Sequence, residues 1–82
     1  MQEFDLNEVD EQGEALIVCH LSEVLESRKM TLSRLSELAG VSIVNLSILK
    51  NGHAKAVRFS TLQAVCLALD CQIGDILSIK RG

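Results

Sequence analysis

The sequence has no proline, tryptophan or tyrosine, and two phenylalanines are its only aromatic residues. Proline fixes φ and removes a backbone donor inside a helix, so its absence favours helical structure. Because large aromatic rings are scarce, the core must be built from leucine, isoleucine, valine and alanine. Hydrophobic residues make up 48% of the 82 positions, which is sufficient for the core of one small, mainly α domain.

Long hydrophobic runs are also missing. No run approaches the roughly 20 apolar residues that span a bilayer. The longest near the start, Ala15–Cys19, is too short for a secretory signal and follows an acidic segment. We therefore expect a cytoplasmic protein that makes no membrane contact.

The three cysteines are too few, and odd in number, for a disulfide framework. With His20 they supply the ligand types of a zinc site, but the spacing from Cys66 to Cys71 is wider than in the usual ligand pair. We expect Cys19, Cys66 and Cys71 to pack as small hydrophobic groups, with no metal and no cofactor. The sequence also has no Gly-rich phosphate loop and no recognisable nucleophile–histidine pattern, so we expect no enzyme activity.

Charge is distributed unevenly along the chain. Residues 1–14 carry six acids and no base, giving −6, whereas residues 15–82 carry eight bases and five acids, giving +3. We interpret residues 1–14 as a flexible acidic arm and residues 15–82 as the folded, mildly basic domain.

Apolar spacing and capping residues predict five helices. One helical stripe, ending near Lys29, is formed by Leu21, Val24, Leu25 and Arg28. Thr31 and Ser42 are typical N-caps, and predict a second helix that stops at Gly40 and a third that stops at Asn51-Gly52. The capping-box pattern Ser60–Gln63 predicts the start of a fourth helix, whose inward residues are Leu62, Val65, Cys66 and Leu69. A short fifth helix is predicted at about Ile73–Leu77.

The β-branched segment Ala15–Cys19 is interpreted either as a strand or as the approach to the first helix. A strand requires a partner, and Ile76–Lys80 is the other candidate segment. The sequence therefore allows a small two-stranded antiparallel sheet that joins the two ends of the domain.

Two short helices joined by a turn containing glycine form a helix-turn-helix unit, here at about residues 31–51. The sequence resembles the Cro and lambda-repressor type (XRE-like) family of helix-turn-helix regulators. The motifs that carry this resemblance are Leu35-Ser36, Gly40-Val41-Ser42, Leu46-Ser47, Asn51-Gly52, Phe59-Ser60-Thr61-Leu62, Leu67-Ala68-Leu69-Asp70-Cys71 and Gly74-Asp75-Ile76-Leu77. They cover about residues 20–78. The resemblance implies a mainly α, five-helix lambda-repressor-like domain that binds double-stranded DNA and regulates transcription.

The resemblance also implies a set of contacts, because the family places its third helix, here residues 42–51, in the major groove. The positions implied to face base edges are Ser42, Ile43, Val44, Asn45, Ser47 and Ile48. Those implied to lie near phosphates are Thr31, Leu32, Lys50, Asn51, Lys55 and Arg58. A homodimer is the usual way for such a small domain to bind tightly, and the terminal strands or the C-terminal helix are its candidate surfaces.

The outward face of this third helix is unusually aliphatic. At about 100° per residue, Leu46 and Leu49 point to the core, so Val44 and Ile48 point away from it. Side chains that contact base edges normally supply hydrogen-bond donors and acceptors, which valine and isoleucine lack. The second helix departs from the family in a similar way, because Leu32 occupies the position where the family commonly has a glutamine that contacts phosphate.

Two interpretations of the aliphatic face remain open. In the first, Val44 and Ile48 pack on thymine methyl groups and favour A·T-rich DNA, while Lys50, Lys55 and Arg58 attract phosphates. In the second, the same face binds a protein partner, in a regulatory or antitoxin-like assembly. The acidic arm is interpreted either as a solubilising tail or as a segment that folds over the basic face and competes with phosphate.

Overall fold

The computed structural model describes residues 16–80, so the predicted acidic arm at residues 1–14 lies outside the described residues. Within residues 16–80 the chain forms five helices and two short strands. In chain order they are β1 (Ile17–Cys19), α1 (Leu21–Arg28), α2 (Leu32–Ala39), α3 (Ile43–Lys50), α4 (Phe59–Leu69), α5 (Ile73–Ile76) and β2 (Leu77–Ile79). The mainly α, five-helix prediction is confirmed. No helix in this part of the chain combines the length and apolar character needed to cross a membrane.

The N-caps of α2 and α3 are the residues that the sequence predicted. Thr31 Oγ1 accepts a hydrogen bond from the Arg34 backbone N–H at 3.1 Å, and Ser42 Oγ accepts one from the Asn45 N–H at 3.1 Å. Each bond satisfies a donor that the first turn of a helix leaves without a backbone partner. Gly40 ends α2 with φ of +70°, a conformation that glycine adopts without steric cost.

The predicted starts and ends of two other helices were wrong by one or two residues. Helix α4 begins at Phe59, capped by Arg58 without a side-chain bond, so Ser60 lies inside the first turn instead of capping it. The reason is that the backbone N–H of Leu62 already bonds to the carbonyl of Arg58 at 3.1 Å. Helix α5 ends at Ile76, because Leu77 extends and pairs with Cys19 in the sheet.

The core is aliphatic, as the composition required. Its fully or nearly fully buried side chains are Leu21, Leu25, Leu35, Leu46, Leu49, Leu62, Val65, Cys66, Leu69 and Ile76. Every helix contributes at least one of them, and no polar side chain among residues 16–80 is buried. The hydrophobic effect therefore holds the five helices together, and polar groups act at helix ends and on the surface.

Strands β1 and β2 pair and join the two ends of the domain. They run antiparallel with Ile17 opposite Ile79, Val18 opposite Ser78 and Cys19 opposite Leu77. The ladder continues at both ends, where His20 N–H bonds to the Ile76 carbonyl at 2.6 Å and Lys80 N–H bonds to the Leu16 carbonyl at 2.7 Å. The predicted sheet is confirmed.

Arg28 connects α1 to the C-terminal end of α4. Its Nε donates a hydrogen bond to the Leu69 carbonyl at 2.8 Å, and its Nη2 donates one to the Asp70 carbonyl at 3.1 Å. The last carbonyls of a helix lack partners within the helix and carry partial negative charge. The Arg28 guanidinium therefore caps α4 from another element.

The same end of α4 holds two of the cysteines. Asp70 adopts the left-handed conformation with φ of 53°, and the Cys71 N–H bonds back to the Cys66 carbonyl at 3.0 Å, as in the Schellman motif. Burial and the adjacent Cys66 thiol raise the pKa of Cys71 to about 11. Burial also raises the pKa of Cys19. Cys66 is buried in the core, and the half-buried Cys19 and Cys71 pack against it.

Candidate nucleic-acid interface

Helices α2 and α3 and the turn Gly40–Ser42 form a helix-turn-helix. The side chains of Leu35 and Leu46, one from each helix, are completely buried. A hydrogen bond of 2.6 Å from the Ser36 hydroxyl to the Val41 carbonyl fixes the turn against α2. The orientation of α3 is thus determined both by core packing and by a bond across the turn.

The outward face of α3 is aliphatic and exposed. Leu46 and Leu49 are 0% and 5% exposed, whereas Val44 is 65%, Ile43 43% and Ile48 42% exposed. This division follows the helical phase predicted from the sequence. Exposed aliphatic side chains that lie together on one surface are typical of interaction sites.

The polar side chains of α3 differ in the hydrogen bonds they make within the protein. The Ser42 oxygen caps its own helix, and the Ser47 oxygen accepts a long bond of 3.4 Å from Asn51 Nδ2. Among residues 16–80 the Asn45 amide has no side-chain hydrogen-bond partner, and Asn45 is exposed. Asn45 is therefore the amide on this face that remains available to an external donor or acceptor.

A shallow depression of about 470 Å³ runs between α3, the following loop and the start of α4. It brings together four residues that the sequence predicted for the interface: Asn45, Ile48, Lys55 and Arg58. It also contains His53 and Thr61, which were not in the predicted set. Thr61 was missed because Ser60–Gln63 was assigned to helix capping. The sequence could have indicated Thr61, because it lies three residues after Arg58, the N-cap of α4, and residues three apart lie on the same side of a helix.

Within residues 16–80, no acid pairs with Lys50 at the end of α3 or with Lys55 and Arg58 in the depression. The sequence between Glu37 and Asp70 contains no acidic residue. Among residues 16–80, Arg34 and Glu37 form an ion pair at 3.1 Å, and His20 Nδ1 lies 3.7 Å from Glu23 Oε2. Lys50, Lys55 and Arg58 are outside both pairs, with Lys50 half-buried and the other two exposed. Their charges are available to an external anion.

Two predicted phosphate positions lie at the start of α2. Thr31 is exposed, and its oxygen is engaged as the N-cap, although its hydroxyl proton can still be donated. Leu32 packs partly against the core and offers no polar group to a phosphate. Asn51 lies directly after α3, where its amide bonds to Ser47.

The fold and this surface define a small helix-turn-helix domain. The chain belongs to the family of Cro/C1-type HTH DNA-binding domains, whose model matches residues 20–81. It is also similar to a protein of Bacillus subtilis (strain 168) described as the uncharacterized HTH-type transcriptional regulator YozG. The two are 53% identical over 64 residues, which cover 78% of this chain and 76% of the relative. The family resemblance seen in the sequence is confirmed.

Proposed function

We propose that this protein is a transcriptional regulator that binds double-stranded DNA with α3 in the major groove. The observation that carries the proposal is the exposed outward face of α3 together with cations beside it that form no ion pair within residues 16–80. Val44 and Ile48 lie on that face, and Lys55 and Arg58 line the depression at its side. An inserted helix flanked by phosphate-binding cations is the arrangement by which helix-turn-helix domains bind DNA.

Phosphate contacts would supply most of the affinity. Lys50 lies at the end of α3, and Lys55 and Arg58 line the depression beside it. None of the three is held in an ion pair within residues 16–80. Each neutralised phosphate releases a condensed counterion, so the logarithm of the affinity falls with the logarithm of salt concentration by about 0.9 per contact. Three contacts predict a slope of about −3 for one bound chain.

Base contacts would come from Asn45 and the aliphatic side chains. An exposed asparagine amide can donate to and accept from adenine in the major groove, and valine and isoleucine can pack on the thymine methyl group. Both contacts favour A·T pairs. We therefore expect a preference for A·T-rich sites.

The test is fluorescence anisotropy of the purified full chain with random and A·T-rich duplexes over a series of salt concentrations. The proposal predicts binding that weakens steeply with salt and is tighter on the A·T-rich duplex. Lys55→Ala and Arg58→Ala should each weaken binding, whereas Lys80→Ala, at the far end of β2, is a matched control for the loss of one charge. Absence of binding at low salt would refute the proposal.

A protein partner for the α3 face is the second candidate function, because Val44 is 65% exposed. Helices that present valine and isoleucine in this way commonly dock on apolar grooves. If no duplex binds at low salt, the same chain should be used to capture a partner, with Val44→Ser and Ile48→Ser as variants that ought to release it.

We further propose that the protein binds DNA as a homodimer, since one domain of this size offers limited contact area. The sheet is the favoured surface, because Ile17 and Ile79 lie opposite each other and are 52% and 55% exposed. Sedimentation velocity should show a dimer that Ile17→Lys converts to a monomer. A monomer in the unmodified protein, with or without DNA, would contradict this.

A further inference from the structure

The face of α3 that would meet the bases carries an unusual type of chemistry. Its aliphatic members, Val44 at 65% and the flanking Ile43 and Ile48 at 43% and 42% exposed, have no hydrogen-bond donor or acceptor in their side chains. In unmodified DNA, the methyl group at C5 of thymine is the apolar group that bases present in the major groove. An aliphatic face inserted there gains affinity mainly where it covers such a methyl group.

Thymine and cytosine differ in the polar group beside that position. Thymine presents the O4 acceptor and cytosine the N4 donor, so a polar side chain distinguishes between them. Val44 and Ile48 cannot make either hydrogen bond. The contact that apolar side chains can make at this position is with the methyl group itself, and 5-methylcytosine carries a methyl group at the same ring position as thymine.

We propose that the outward face of α3 recognises the C5-methyl group of pyrimidines in the major groove. At the positions that this face covers, it accepts 5-methylcytosine as well as thymine. This inference rests on the proposed DNA-binding function. It adds a ligand class, C5-methylated cytosine in duplex DNA, and makes binding sensitive to cytosine methylation. The polar partner for a neighbouring base is Asn45, which lies with Ile48 in the depression beside α3.

The expected size follows from the burial of one methyl group. Covering one CH₂ or CH₃ equivalent contributes a factor of about four in affinity. A duplex in which two methyl groups are covered should therefore bind about 15-fold more tightly than the same duplex without them.

The experiment compares matched pairs of duplexes by anisotropy at one low salt concentration, with the full chain. The first pair is an A·T-rich duplex and the same duplex with deoxyuridine in place of every thymidine. The second pair is a mixed-sequence duplex with unmodified cytosine and the same duplex with 5-methylcytosine. Within each pair the charge and the hydrogen-bonding groups are the same, so the methyl groups are the difference at the base edges.

We expect thymidine to bind at least about four-fold more tightly than deoxyuridine, and 5-methylcytosine to exceed cytosine by a similar factor. Both ratios should approach one in the double variant Val44→Ser, Ile48→Ser. Methyl groups also alter the shape and stiffness of DNA, and a response to shape would persist in that variant. Leu67→Ala is the matched aliphatic control, because Leu67 is 74% exposed on α4, and it should leave both ratios unchanged.

Three other outcomes would overturn the inference. Equal binding of thymidine and deoxyuridine duplexes, with steep salt dependence retained, would reject methyl recognition while leaving the proposed function intact. A preference for thymidine over deoxyuridine, without one for 5-methylcytosine over cytosine, would show that the methyl group is recognised only beside the O4 acceptor of thymine. In that case 5-methylcytosine does not substitute for thymine. Failure to bind any duplex at low salt would reject the proposed function and the inference with it.

Discussion

Replacement of Arg28 tests whether a bond between distant elements stabilises the domain. The guanidinium of Arg28 donates to the Leu69 carbonyl at 2.8 Å and to the Asp70 carbonyl at 3.1 Å. The first bond is partly buried and the second is exposed to solvent. Arg28→Ala removes both donors and the positive charge at the C-terminal end of α4.

The expected loss is about 2 kcal/mol in the free energy of unfolding. A hydrogen bond from a charged donor contributes about 1.5 kcal/mol or more when partly buried, and an exposed one adds about 0.5 kcal/mol. For a domain of this size, a loss of about 2 kcal/mol lowers the melting temperature by roughly 8–16 °C. This is a large share of the total stability of a small domain.

Urea denaturation followed by circular dichroism measures this change. Arg28→Lys is the informative companion, because a lysine keeps the charge near the helix end but cannot form the two-pronged contact. It should recover only about 0.5 kcal/mol. If the free energy of unfolding of Arg28→Ala lies within about 0.5 kcal/mol of that of the unmodified protein, the cap contributes nothing and the reasoning is refuted.

Three further predictions concern charge and the thiols. Lys55→Ala, or Arg58→Ala, should reduce the salt slope of DNA binding by about one, and an unchanged slope would remove that residue from the phosphate contacts. Deletion of residues 1–13, which removes five acids, should tighten DNA binding several-fold at low salt and have little effect at about 1 M salt; equal affinity at low salt would reject competition by the arm. The pKa of Cys71 is raised to about 11, so the unfolded chain ionises first as pH rises. Chemical denaturation should therefore show stability lost between about pH 8.5 and pH 11, and a smaller loss in Cys71→Ala; an equal loss would exclude this thiol.

The helix-turn-helix could be predicted closely because its determinants are local. Thr31 and Ser42 each cap a helix through a bond to a residue three positions further along, and such caps are visible as residue types in the sequence. The phase of α3 follows from Leu46 and Leu49 alone, since an α-helix turns by a fixed angle per residue. The exposure of Val44 and Ile48 was for the same reason predictable.

The start of α4 was not predictable from its capping pattern. Ser60 has the right residue type and spacing for an N-cap, yet the backbone bond from Leu62 to Arg58 begins the helix two residues earlier. A capping pattern indicates only a local preference for where a helix begins. Here the start of α4 is set together with the packing of Leu62 and Val65 in the core.

The sequence by itself determined the aliphatic core, the helix-turn-helix and the face that α3 turns outward, because these depend on composition and on bonds within four residues. Only the tertiary structure decided which distant groups meet. Arg28 caps a helix that ends 41 residues later in the chain, and Lys55 and Arg58 come to lie beside Asn45 and Ile48. Such contacts depend on how the helices pack around Leu35, Leu46 and Leu69, and that packing is a property of the whole chain.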